Sequence, residues 1–361
     1  MDGMQRAGVR GRSRQFRRIG AGVCWAVAVV LCLPGALLTV LRLVRWDLGT
    51  PWIQLLSLFP ATLAFTTAAL AAAVLAVCLS SRLSRTILAA AATALLLIQL
   101  QLVAPGLLPR DLPPGRPGAA PQAAAAAGGP IAGTGRTVTV MALNVGSSGV
   151  DSTVLLKEAL TRKADILALP ELGPPGLEAL EAAGIAADFP YRSVDVDWAG
   201  VGSAIFSRFP LQASGRVPDS AFYQSTGVVT VPGAAGAIRL AAIHVDSPRP
   251  GRIPGWRQEL RQLGGLRQDV PGPASTILLG DFNASYDHRE FRELLATGLT
   301  DAAQAAGQGM TPTWPAGSRV PLFVALDHVL VTADIGIRSF ATVAVPGTDH
   351  AGVIAELVLP G

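Results

Sequence analysis

Six short apolar runs in the second half of this 361-residue chain each meet a polar side chain able to bind a metal ion or a phosphate. The run ending at Leu143 passes into Asn144, and the run ending at Leu169 passes into Pro170-Glu171. Leu240-Ala241-Ala242-Ile243 runs into His244, and Ile277-Leu278-Leu279 into Gly280-Asp281-Phe282-Asn283. Leu326-Asp327-His328 stands before Val329-Leu330-Val331, and Thr348-Asp349-His350 before the last apolar run. Taken singly, each has a plainer reading. An Asp after Gly is ordinarily a turn residue, a Glu at a strand end is ordinarily solvated, and a lone His ordinarily packs. Their recurrence in order along one stretch of chain is what points to a shared site, because strand ends hold polar groups rigidly around one cleft.

The runs themselves have strand character. Thr137–Leu143 is β-branched and apolar, and Asp165–Leu169 is a second run of buried type. Further strands are expected over Ser203–Ser207, Val228–Val231, Ile238–Val245, Thr276–Leu279, Asp327–Val331 and Ala351–Leu359. Helical spacing covers Asp151–Arg162, with Asp151 near the N-cap, and also Trp256–Leu266 and His288–Ala296. Strands mixed with a few helices over residues 136–361 predict one α/β domain with substantial sheet. No internal repeat is visible in the sequence.

The ordered motifs Leu143-Asn144-Val145, Leu169-Pro170-Glu171, Ser207-Arg208-Phe209-Pro210, His244, Gly280-Asp281-Phe282-Asn283, Leu326-Asp327-His328 and Thr348-Asp349-His350 resemble the endonuclease/exonuclease/phosphatase superfamily. That superfamily takes in deoxyribonucleases, exonuclease III-like enzymes, sphingomyelinases and inositol-polyphosphate 5-phosphatases. The resemblance runs from about Val138 to Leu359. Thr311-Pro312-Thr313-Trp314-Pro315 also looks like the segment that precedes the Asp-His strand in relatives. The second motif departs from the pattern, with Pro170 where Gln is usual. The resemblance implies a four-layer α/β sandwich of two mixed sheets and a hydrolase acting on phosphoester bonds.

Phosphoester hydrolysis needs relief of the charge on the phosphoryl oxygens and a proton acceptor for water. Oxygen-rich ligands suit Mg²⁺ or Mn²⁺. By the resemblance, Glu171 leads the metal ligands, with Asn144 assisting and Asp349 adding a contact. His350 is one candidate base, oriented by Asp327, and Asp281 is the competing one. Asn283 is a donor to phosphoryl oxygens. His244 donates to a phosphate oxygen or assists the leaving group, and Arg208 is a candidate substrate contact. His328 is expected on the opposite side of its strand from Asp327. His288 reads as a surface residue, and Asp246 as facing solvent.

Composition divides the chain. Before Arg136 there are 12 arginines and no lysine against three aspartates, a balance of +9; from Arg136 onward 17 basic residues face 22 acidic ones, a balance of −5. All three cysteines lie in the first part, so the second has neither a thiolate zinc site nor a cysteine nucleophile. Residues 1–18 form a basic N-terminus. Within residues 19–104, three apolar segments (Ile19–Val44, Trp52–Ser80 and Thr86–Ala104) each reach the ~20 residues that span a bilayer. Arginines at the N-terminus and at Arg82 and Arg85 predict that these regions stay in the cytoplasm and that everything after Ala104 lies outside. A cleaved signal peptide is the rival for the first segment, but two further spans follow it. Gln99 and Gln101 sit near a helix end and call for no special role. Residues 105–135, rich in Pro, Ala and Gly, read as a tether.

Substrate is left open between nucleic acid or another phosphodiester, slightly favoured, and a lipid or sugar phosphate. The expected partners are the bilayer and that substrate. Arg257 and Arg261, four residues apart, are one candidate phosphate-facing patch, a solvated helix face being the alternative. A calcineurin-like phosphoesterase shares the Gly-Asp run but needs Gly-Asn-His and Gly-His-x-His elements, which do not occur. A non-catalytic, membrane-tethered binding protein on the same fold is the alternative from another class, and the full polar roster argues against it.

Overall fold

A computed structural model describes residues 2–44, 49, 51–109, 135–146, 149–266 and 275–361. Most of the expected tether, part of the first loop, and Arg267 lie outside the described residues. The chain divides into two compact units, Met1–Leu48 with Gln54–Ala104, and Gly49–Ile53 with Pro105–Gly361.

The first unit is helical. Helix α1 spans Asp2–Leu43, α2 Trp52–Leu56, α3 Thr62–Leu79 and α4 Leu83–Leu107. Three helices are long and apolar enough to cross a membrane: Arg14–Leu43, Phe59–Leu79 and Leu83–Leu107. The second segment is shorter than the expected Trp52–Ser80. A 3-10 turn at Phe59–Ala61 separates α2 from α3, and Pro60 in that turn lacks the N–H that a continuous helix needs. Small side chains at Ala21, Ala28, Ala69, Ala73, Ala76 and Ala92 are fully buried, the close-approach packing usual between membrane helices. Gln99 corrects the sequence reading. It is fully buried, and its amide nitrogen, Nε2, lies 3.2 Å from each of the acceptors Gly35 O, Thr39 Oγ1 and Thr62 Oγ1. It is therefore a polar tie between helices.

The second unit contains β1 (Thr137–Ala142), α5 (Ser152–Thr161), β2 (Ile166–Pro170), α6 (Pro174–Ala182), α7 (Ile185–Asp188), β3 (Tyr191–Asp195), β4 (Ser203–Ser207), β5 (Leu211–Arg216) and β6 (Ser225–Val229). It continues with β7 (Ile238–His244), α8 (Ile253–Gly265), β8 (Thr276–Asp281), α9 (Arg289–Leu295), β9 (Leu299–Asp301), α10 (Ala302–Ala305), β10 (Asp327–Thr332), β11 (Gly336–Val343) and β12 (Gly352–Val358). Helix α5 begins where its cap predicts: Asp151 Oδ1 accepts from Thr153 N and Val154 N. Strands β3, β5, β9 and β11 were not legible as apolar runs. Strand β5, Leu211–Arg216, is an edge strand exposed along nearly its whole length, so it needs no apolar alternation.

The strands form two six-stranded sheets, ordered β11-β12-β1-β2-β4-β3 and β5-β6-β7-β8-β10-β9. Both sheets have the same pairing pattern. One central parallel pair, β1 with β2 or β7 with β8, is flanked by antiparallel neighbours on each side. This repeat lies in topology and leaves no trace in the sequence.

Residues alternate between two cores. Val138, Val140, Ala142, Ile166 and Ala168 pack with Leu240, Ala242, Ile277, Leu279, Val329 and Val331 between the sheets. Met141, Leu143, Leu167 and Leu169 face the other way, onto Leu155, Leu156 and Leu180 of α5 and α6. Burial on both faces explains why these strands read as unbroken apolar runs rather than alternating ones. The result is the four-layer α/β sandwich.

Candidate active site

The site lies at one end of the central strands of both sheets. In the second sheet the register places His244 opposite Asp281 and Asp281 opposite Asp327, one row across β7, β8 and β10. Paired residues share a sheet face, so the three side chains converge. From the first sheet, Asn144 follows β1 and Glu171 follows β2. The parallel pairing continues past the strand ends through Leu143 N to Ala168 O and Val145 N to Pro170 O, which keeps the two side by side. His350 precedes β12.

The two groups meet through Asn144. Its Nδ2 donates to Glu171 Oε1 at 3.0 Å and to Asp281 Oδ2 at 3.1 Å, while its Oδ1 accepts from Gly146 N. His350 Nδ1 lies 2.9 Å from Asp327 Oδ2, and its Nε2 is 3.7 Å from Asp281 Oδ2. His244 Nε2 is 3.4 Å from Glu171 Oε1 and 4.0 Å from Asp281 Oδ2. Asp281 Oδ1 accepts from Asn283 N, and Asn283 Nδ2 donates to Val245 O.

Local backbone geometry supports this arrangement. Gly280 has φ +139°, and a Cβ there would sit 2.3 Å from Ile243 O, so only glycine lets β8 come this close to β7 just before Asp281. Glu171 and Asn283 are left-handed, with φ of 60° and 46°. Such strain collects at functional sites. Two threonines fix the remaining loops. Thr348 Oγ1 donates to Asn144 O and accepts from His350 N, and Thr313 Oγ1 accepts from Leu326 N and Asp327 N.

Burial sets the electrostatics. It raises the Asp281 pKa, an effect that His350 opposes. It lowers the His244 pKa, leaving that ring neutral. Burial also acts to lower the pKa of His350, but the carboxylates of Asp327 and Asp281 outweigh it and hold the value at about 10.

Asp281, Asp327 and His350 offer ligand atoms within 4.8 Å of one another. Asp327 Oδ1 and His244 Nδ1 are buried without a hydrogen-bond partner among the described residues. Three carboxylates, those of Glu171, Asp281 and Asp327, thus crowd a poorly solvated place. A hard divalent cation is the partner such a donor set fits.

The site opens on a cleft of about 450 Å³ lined by Glu171, His244, Asp281, Asn283 and His350. The structure does not bring every expected residue there. Asp349 stands at the edge of the site: it is exposed, its Oδ2 accepts from Trp314 Nε1 at 3.0 Å, and its Oδ1 lies 3.9 Å from where a Cβ on Gly146, two residues after Asn144, would stand. Arg208 lies at the opposite end of the sheet, because Ser207 pairs with Ile166 whereas Ser203 pairs with Pro170 beside Glu171. Its guanidinium stacks 5.4 Å from the Phe189 ring. His328 faces away from the cleft; its ring nitrogens meet Asp301 Oδ2 and Ala284 O.

Three readings are corrected. His288 is buried rather than at the surface, and its Nδ1 accepts from Ser285 N at 2.8 Å. Arg257 does not face a phosphate but pairs with Glu290 at 2.8 Å, both side chains largely covered. Asp246 is buried and lines the cleft together with Arg249 and Arg252. The one sequence signal for Asp246 was its place two residues after His244.

With this geometry in view, the chain belongs to the endonuclease/exonuclease/phosphatase family, whose pattern matches residues 141–350. Members of that family are hydrolases of phosphoester bonds and generally use divalent metals. Among solved structures, the chain is similar to D. rerio TDP2 complexed with a single-strand DNA product, at 16% identity and a TM-score of 0.51, covering 61% of this chain and 98% of that one. It is similar to an endonuclease/exonuclease/phosphatase of Beutenbergia cavernae at 20% identity and a TM-score of 0.51, covering 63% and 72%. A Bacteroides vulgatus protein of the same description aligns at 16% identity and a TM-score of 0.53, covering 62% and 99%. At these identities the likeness is one of fold. A comparison with curated proteins finds no match.

Proposed function

We propose that the protein is a membrane-anchored, Mg²⁺- or Mn²⁺-dependent phosphodiesterase, with its catalytic domain outside the cytoplasm and nucleic acid as the favoured substrate. The observation that carries this reading is the row His244–Asp281–Asp327 capped by His350, with Asp281 and Glu171 held by one Asn144 amide. Three apolar helices and the arginines around them support the anchoring and the orientation. Glu171 would hold the cation, and Asn144 would order its carboxylate beside Asp281 rather than coordinate through an oxygen already taken by Gly146 N. When bound, the cation neutralises charge on the phosphoryl oxygens.

Both ring nitrogens of His350 face carboxylates, so the ring is a doubly protonated donor. It stabilises charge growing on the phosphoryl group and cannot accept a proton from water. That leaves Asp281 as the base, its affinity for a proton raised by burial. His244 supplies a neutral N–H toward the leaving side. A lipid or sugar phosphate is the second reading, supported by the apolar helices that tether the domain to a bilayer.

The test is a screen of the purified full-length protein in detergent against DNA, RNA, phospholipids and inositol phosphates, with and without Mg²⁺ or Mn²⁺, and with Asp281→Ala as control. Metal-dependent turnover that vanishes in the control is the expected result. No turnover of any phosphoester would sink the enzyme reading.

A further inference from the structure

At the mouth of the cleft, the carboxylate of Asp246 is 5% exposed while the two arginines beside it are turned outward. Arg249 Nη2 stands 3.7 Å from Asp246 Oδ1, with its side chain 62% exposed. Arg252 Nη1 stands 3.4 Å from Asp246 Oδ2, with its side chain 61% exposed. Asp246 is itself fixed, because its backbone N donates to Glu259 Oε2 at 2.7 Å and its Oδ1 accepts from Ser247 N at 2.9 Å. Glu259 is buried and also accepts from Ala221 N and Ser220 Oγ, which ties the α8 side of the cleft to the segment that carries Phe222. Asp246, Arg249 and Arg252 line the same cleft as His244, Asp281 and His350.

This arrangement is a poor set of ion pairs but a good anion subsite. Each guanidinium carries five N–H donors, and a carboxylate at 3.4–3.7 Å engages few of them. Asp246 sets where the two cations stand without consuming their donors. The three groups together carry one positive charge in excess, which matches one added anion. A guanidinium fork suits a phosphate in particular, because it donates to two oxygens at once.

We infer that Arg249 and Arg252 bind a second phosphate of the substrate, one that flanks the phosphodiester at Asp281 and His350. The inference rests on the phosphodiesterase reading and narrows its substrate to a chain of linked phosphates, as in a nucleic-acid strand. A diester bearing a single phosphate leaves the subsite empty. Asp246 is a positioning residue, and the arginines contribute to specificity.

The experiment measures equilibrium binding by the full-length protein in detergent, with Ca²⁺ in place of Mg²⁺ to hold ligand without turnover. The probes are TpT, with one phosphate, and pTpT and TpTp, with a terminal second one. The wild type is expected to bind at least one two-phosphate probe about 10- to 100-fold more tightly than TpT, the size of one charge-assisted hydrogen bond. In Arg249→Gln and Arg252→Gln the ratio falls, and in the double variant it approaches one. The single variants leave Asp246 one cation, and circular dichroism reports whether each is folded. Equal binding of all three probes by the wild type, a preference that survives in the variants, or no measurable binding of any probe overturns the inference. Turnover of pTpT, TpTp and a longer oligonucleotide with Mg²⁺ is assayed separately. Its absence beside an intact binding ratio would remove the phosphodiesterase reading and leave the subsite standing.

Discussion

Asn144 Nδ2 lies 3.1 Å from Asp281 Oδ2, joining residues 137 positions apart and belonging to different sheets. The same nitrogen reaches Glu171 Oε1 at 3.0 Å. One amide therefore ties the Glu171 carboxylate to that of Asp281. Replacing Asn144 with Ala removes that donor and leaves both carboxylates to repel each other. Metal affinity should fall about 10- to 100-fold, as for other groups that orient metal ligands. Titration of Mg²⁺ by calorimetry checks this, and an unchanged affinity would dismiss the orienting role.

Asp327 accepts from His350 Nδ1 at 2.9 Å and is buried at 2% exposure, with no solvent to replace it. Asp327→Asn keeps the shape but takes away the charge that holds His350 as a cation. The turnover number should fall ~10²–10⁴-fold, the range for a misplaced acid or base group. A change in KM alone would argue that the pair only binds substrate.

His288 yields a pH dependence of stability that owes nothing to the cleft. Burial is the main cause of its pKa falling to about 4 from 6.5. Between those values the unfolded chain binds a proton that the folded chain does not. Stability is therefore fully present above pH 6.5 and is lost as pH falls toward 4, by about 3 kcal/mol across the window. Denaturant unfolding at pH 4.5 and pH 7 should show a smaller difference for His288→Gln than for the wild type. Equal slopes for the two proteins would show that His288 does not titrate on unfolding.

Gly280 is a position beside the site that no side chain can occupy without strain. A Cβ would stand 2.3 Å from Ile243 O on a backbone at φ +139°. Gly280→Ala should destabilise the domain by about 2–4 kcal/mol, from strain and overpacking together. It should also shift Asp281 out of its row. Thermal unfolding of the full-length variant reads the first effect, and loss of activity on any substrate found for the wild type reads the second.

The roster of the site was legible before any coordinates. Asn144, Glu171, His244, Asp281, Asn283, Asp327 and His350 stand where apolar runs break off, and a run buried on both faces is a local property of sequence. The start of α5 at Asp151 was legible for the same reason, since a cap is a contact between near neighbours. Strand β5 was not legible, because an exposed edge carries no apolar signature. Arg257 resembled a phosphate ligand until Glu290, 33 residues away, proved to be its partner.

By itself, then, the sequence determined which residues end strands, which segments are apolar enough to span a bilayer, and that a phosphoester chemistry was within reach of the chain. Only the tertiary structure decided the rest. It placed Asp349 in contact with Trp314, put Arg208 at the far end of its sheet, and buried Asp246 between two outward arginines. It also set His244, Asp281 and Asp327 in one row. The physical reason is range. Periodicity and capping act over a few residues, whereas register and the packing of one sheet on the other join side chains more than a hundred positions apart. Those distant contacts turn seven polar residues into one site.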